Sequence, residues 1–187
     1  MAPITVFDFD PHKLPAEILK ALGLIAACSA QTEDVVQMGI AAVLGVDLEK
    51  GTAITAHMSA SLRDDLFRSA AEIVLDDLDH LDELDALLDE VAESSRRRND
   101  YLHHSICRIV KTGNCFLTKK TARGSVEVKI REVTAEEITR DAERIYRAGL
   151  NLMRFYGKTG LEDIEIPEDR QDRAHKTRSA RKARKKT

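Results

Sequence analysis

From position 18 to 43, mostly aliphatic residues return at steps of three and four: Ile18, Leu22, Ile25, Ser29, Glu33, Val36, Ile40 and Val43. That spacing follows the 3.6-residue turn of an α-helix, so the segment reads as one long helix with a single stripe to bury. A helix of this length has to lay its stripe against other elements. That requirement commits the chain to a mainly helical, multi-element core. Pro15 suits the first helical position and Gly45 a cap after the last turn, while the period survives Gly23 and Gly39. One charged residue, Glu33, falls on the stripe. An ionised carboxylate there is costly unless it is paired. The other reading breaks the helix near residues 29–32 and leaves Glu33 in a solvated first turn.

A chain of 187 residues is long enough for one domain with a proper core. Apolar residues make up 43% but aromatics only 4%, without Trp, so that core has to be aliphatic. No apolar run approaches the roughly 18 residues of a membrane span, and the first eleven residues lack a basic-then-apolar signal pattern. A cytoplasmic protein with no membrane association is the expectation. Cys28, Cys107 and Cys115 are odd in number and form no CxxC pair, which argues against a disulfide framework or a zinc knot and for buried thiols.

Along the chain, residues 1–14 read as an extended lead-in and residues 46–58 as a connection. Ser61-Leu62-Arg63-Asp64 resembles a capping box opening a second helix. A third helix carries the stripe Leu81, Leu84, Leu88, Val91, Ser95, Arg98, Leu102. Nine acids and no Lys or Arg between 76 and 93 read first as its solvated face. Residues 106–111, 115–120 and 125–131 are β-rich and punctuated by turn residues, which predicts a hairpin or small meander. Val126, Val128 and Ile130 alternate with charged residues, so one face is expected to pack on the helices. Thr134-Ala135-Glu136-Glu137 caps a last helix with the stripe Ile138, Ala142, Ile145, Gly149, Leu152, Tyr156. The fold class expected is therefore mainly α, an up-and-down bundle of about four helices. A small β-hairpin insert, about 106–131, separates the third helix from the last. Residues 1–168 form the single domain. Residues 169–187 form a basic, flexible tail, since 170–187 hold nine Lys or Arg against one acid and no apolar stripe. The rest of the chain is acidic, with 20 bases against 31 acids.

The chemistry concentrates in Arg96-Arg97-Arg98-Asn99-Asp100-Tyr101-Leu102-His103-His104. Phosphate-binding donors stand there beside groups that move a proton near neutral pH. Residues four apart share a helix face, which sets Arg98 above Leu102 at the edge of the stripe and Asn99 above His103. Arg98 and His103 are thus expected to flank a groove. A half-sunk guanidinium needs a carboxylate or a phosphate, and Glu33 is the partner to name. The plain reading is an Arg–Glu pair that pins two helices, with His103 and His104 ordinary surface residues.

Arg98-Asn99-Asp100-Tyr101-Leu102-His103 also resembles the signature of HEPN domains, an Arg followed within a few residues by His, often with Asn directly after the Arg. The likeness covers most of residues 15–156. It implies a metal-independent endoribonuclease, of toxin or defence type, that needs no cofactor. Arg98, Asn99 and His103 would then be catalytic: His103 as acid or base, Arg98 on the scissile phosphate, Asn99 orienting the site. Glu33, Arg97 and His104 would support them. The resemblance further implies a composite site across a homodimer, RNA as substrate, and an antitoxin or regulatory protein as a further partner. No metal is expected, since no Glu-x-x-His pair occurs. Arg181, Lys182, Arg184, Lys185 and Lys186 would add sequence-independent phosphate contacts. The alternative is a non-catalytic helical dimerisation or interaction module whose basic tail touches nucleic acid by charge alone.

Overall fold

The computed structural model describes residues 6–123, 125–161 and 170–184, with backbone alone at 121–123, 125–126 and 170–174. Among the described residues it is mainly helical, with six helices and one small antiparallel sheet. The elements are β1 (Phe7–Asp8), α1 (Ala16–Leu44), α2 (Leu48–Thr55), α3 (Ala60–Val74), α4 (Leu78–Leu102), β2 (Ser105–Ile109), β3 (Cys115–Arg123), β4 (Ser125–Val133), α5 (Ala135–Thr159) and α6 (Arg170–Arg184). No described helix is long and apolar enough to cross a membrane.

The expected α1 forms without a break, so Glu33 lies in mid-helix rather than in a solvated first turn. Its end is a Schellman cap. Gly45 takes φ 64°, its N–H reaches the Ala42 carbonyl at 3.0 Å, and the Val46 N–H reaches the Ala41 carbonyl at 3.1 Å. Two helices were not expected. In α2 the Asp47 side chain caps the Lys50 N–H at 2.8 Å. Mid-helix Gly51 hid that helix from a propensity reading, yet a Cβ there would stand 2.7 Å from the Ala41 Cβ. The other is α6, formed where a flexible tail was expected. The start of α3 also moves, because Ser59 rather than Ser61 is its cap, accepting from the Leu62 N–H at 3.2 Å.

The chain divides into two compact units. One comprises Met1–Ala30 and Glu93–Arg147, the other Gln31–Ala92 and Ala148–Thr187. In the first, Ile18, Ala21 and Ile25 of α1 form a core with Tyr101, Cys115, Leu117, Val133, Ile138 and Ile145. Its sheet runs β1-β2-β3-β4, every neighbour antiparallel. In the second, Ile40 and Val43 join Phe67, Ala71, Leu81, Leu84, Leu88, Leu152, Phe155 and Tyr156.

The sheet corrects one expectation. Cys115, Leu117 and Val133 are buried, whereas Val128 and Ile130 are 51% and 54% exposed. Successive side chains alternate faces, so burying Val133 sends Ile130 and Val128 to the opposite face. The apolar alternation was real, but its phase against the core is off by one residue. The same alternation settles the cysteines. Cys107 pairs with Phe116 and Cys115 with Arg108, which sets the two thiols on opposite faces, and all three cysteines are free and buried.

Candidate functional site

The basic patch occupies the last turns of α4 and the bend after it. The buried side of α4 near its end is Ser94 and Tyr101, while Leu102 is exposed. The expected stripe through Ser95 and Leu102 has therefore drifted by one residue, as a 3.6-residue turn does against steps of three and four. Tyr101 is held firmly. Its hydroxyl lies 2.8 Å from Asp141 Oδ2 and 3.1 Å from Glu137 Oε1, and Arg131 donates to it at 3.3 Å from above the ring. Burial pushes the phenol above its ordinary value, so it stays a neutral hydroxyl through the physiological range.

Arg97 lies four residues, about one turn, before this anchor on α4. One guanidinium nitrogen donates to Asp141 Oδ1 at 3.1 Å, and the other sits 3.2 Å from Glu93 Oε1. Asp141 is 6% exposed and also meets Arg144 at 3.2 Å. It is a buried carboxylate that fixes one basic side chain of the patch, and the sequence reading missed it. The signal was present: three steps from Ile138 and four before Ile145, Asp141 puts an acid on the apolar side of α5, as Glu33 does on α1.

Glu93, Arg96, Arg97, Asn99, Asp100 and His104 line one open cleft of about 490 Å³, joined by Lys119 of β3. Arg96 is fastened to Glu93 at 2.9 Å and Lys119 to Asp100 at 2.5 Å. Three cations, Arg96, Arg97 and Lys119, thus line the cleft with two carboxylates, Glu93 and Asp100. The His104 Nδ1 lies 3.3 Å from the Asn99 carbonyl oxygen, which also accepts the His103 N–H at 3.1 Å. The bend at the helix end thus places the two imidazoles in succession.

Of the residues expected to be catalytic, Asn99 lines the cleft. Arg98 is half-buried, outside the lining, and donates to Asn99 Oδ1 at 2.9 Å. His103 is exposed and also outside the lining. The supporting residues Arg97 and His104 are lining residues, joined by Arg96 and Lys119. Glu33 is half-buried in α1. Among the described residues no group of three or more His, Cys, Asp or Glu side chains could hold a metal ion.

The tail residues named for nucleic-acid contact have partners elsewhere in their own unit. Arg181 meets Glu72 at 2.8 Å and also Asp85, while Arg184 meets Asp79 at 2.6 Å and Asp82 at 3.2 Å. Arg178 adds a 3.0 Å bond to Glu72. Lys182 is exposed, and Lys185 and Lys186 lie outside the described residues. The acidic run of α4, expected as a solvated face, is therefore partly a docking strip. Asp85 and Asp89 also bind Arg68 of α3, at 2.9 and 2.8 Å. No family model, curated protein or solved structure matches the chain.

Proposed function

We propose that the protein is a HEPN-like, metal-independent endoribonuclease whose reaction site is the α4 end. The observation that carries this reading is the gathering of Arg96, Arg97, Asn99, His104 and Lys119 around one open cleft, with His103 exposed at the adjacent position. A phosphodiester entering the cleft meets a guanidinium already held by Glu93 and Asp141, which lowers the ordering cost of binding. Charge developing on the phosphorus oxygens is stabilised by Arg97 and Lys119. One imidazole takes the proton of the 2′-hydroxyl, whose oxygen attacks phosphorus in line. The 5′-oxygen leaves with a proton from a second imidazole. The products are a 2′,3′-cyclic phosphate and a free 5′-hydroxyl. The resemblance supplies the second imidazole from a symmetry-related copy, through Arg98, Asn99 and His103 of both chains. His104 offers a second one within the same chain.

Purified protein incubated with mixed RNA in EDTA tests this directly. The wild type should cleave, His103→Ala or His104→Ala should lose about 10²–10⁴ of the rate, and Arg97→Ala should weaken RNA binding as well. RNA surviving equally in every sample at protein excess ends the enzymatic reading. A second reading, the non-catalytic interaction module, is favoured by a specific observation: Arg97, Lys119, Arg181 and Arg184 already have carboxylate partners in the chain. It expects no cleavage.

A further inference from the structure

We infer that β4 is a self-complementary edge, built to pair antiparallel with β4 of a second copy of this chain in a register centred on Val128. The strand is nine residues long and stands last in the sheet order, with no further strand beside it among the described residues. A long strand in that position presents an unpaired row of backbone N–H and C=O groups, which is a template for another strand.

The second copy is singled out by the order of the side chains. Rotating Ser125–Val133 about a two-fold axis perpendicular to the sheet at Val128 sets Val128 against itself and Glu127 against the partner's Lys129. The same rotation sets position 126, a valine, against the partner's Ile130. Neighbouring registers fail. Centring on Glu127 opposes two glutamates, and centring on Ile130 opposes Lys129 to Arg131. Centring on Lys129 opposes two lysines and asks Glu127 to pair with Arg131, which already meets Glu137 at 2.5 Å and Tyr101. Like charges directly opposite are unfavourable in a sheet and unlike charges favourable. Of the registers centred on residues 127 to 130, one satisfies every central pair.

Two features of the sheet ask for such a partner. Lys119 and Lys129 stand directly opposite on β3 and β4, and Lys119 is held by Asp100, which leaves Lys129 to Glu127 of its own strand at 3.2 Å. In the joined sheet each Lys129 gains the partner's Glu127 across the axis. The exposed Val128 and Ile130 would likewise run on into their symmetry mates, making one apolar surface across an eight-stranded sheet. The inference does not depend on the ribonuclease reading.

Sedimentation velocity on the full chain at tens of micromolar tests it, with variants chosen among exposed side chains so that folding is spared. The wild type should sediment as a dimer. Lys129→Glu should weaken association about tenfold or more, by turning two attractive cross-axis pairs repulsive, and Glu127→Lys/Lys129→Glu should restore it. Val128→Cys should cross-link to its own copy under mild oxidation, because directly opposed residues have Cα atoms about 4.5–5.5 Å apart, within disulfide range. Glu132→Cys should not, because the axis leaves its two copies about 27 Å apart. A monomeric wild type overturns the inference. So does a dimer that Lys129→Glu leaves intact and Val128→Cys fails to cross-link, the result expected of copies meeting through the α4 ends alone. RNA cleavage is read separately, so failure of one proposal is distinguishable from failure of the other.

Discussion

Asp141 shows how much a single buried acid organises. It receives Tyr101, Arg97 and Arg144, so removing it takes one acceptor from a buried hydroxyl and one from a guanidinium, leaving them Glu137 and Glu93. Asp141→Ala should destabilise the protein by about 2–3 kcal/mol in urea unfolding, discounted because Arg97 is a third exposed and water replaces part of the pairing. Tyr101→Phe keeps the ring and removes one donor, and should cost about 1–2 kcal/mol. Reversal of that order would show that the Tyr101 hydroxyl, which also meets Glu137 and Arg131, is the anchor rather than the Asp141 carboxylate. In the other unit Gly39 has the same weight for a steric reason. A Cβ there would collide with the Tyr156 hydroxyl and the tip of the Phe67 ring, both fully buried. Tyr156 cannot retreat easily, because its hydroxyl donates to the Val35 carbonyl at 3.0 Å. Gly39→Ala should therefore lower stability by about 1–3 kcal/mol despite its better helix propensity, measurable as a fall in Tm.

At the scale of elements, α6 is the helix least explained by hydrophobicity. It has no apolar stripe, and Arg178, Arg181 and Arg184 are fastened to Glu72, Asp79, Asp82 and Asp85. The Arg178 and Arg184 side chains are exposed and their pairs are screened by salt, so the amides of α6 should exchange faster with solvent as ionic strength rises, while those of α3 keep their protection. Acid should act the same way. The Arg184 guanidinium holds the Asp79 carboxyl below its ordinary 3.8. A depressed carboxylate contributes stability that is complete above its unfolded value and is lost as pH falls through the folded one. The α6 contact should thus persist through neutral pH and weaken below about pH 4. Exchange in α6 that ignores both salt and acid would refute an electrostatic attachment. Any contact of Arg181 or Arg184 with nucleic acid has to displace these carboxylates first, so phosphate binding by the tail should compete with α6 docking.

For the whole molecule, the long helices were legible in the sequence. α1, α4 and α5 each carry a sustained 3.6-residue period with a capping residue or glycine at an end, information local enough to survive without a tertiary context. The basic patch at the end of α4 was equally legible, because nine consecutive residues concentrate its donors. Three features were not. The phase of β4 against the core depends on which face its neighbour buries, and a one-residue shift exchanges the faces without altering the pattern. The helical state of α6 depends on acids about a hundred residues earlier, at 72, 79, 82 and 85. The residues of the patch that share a cleft were decided by the drift of the α4 stripe and by Lys119 arriving from β3. Period and capping are written in neighbouring residues, so the sequence alone determined the long helices and the place of the patch. Phase, docking and the choice of cleft residues arise between segments far apart in the chain, and only the folded backbone brings those segments together.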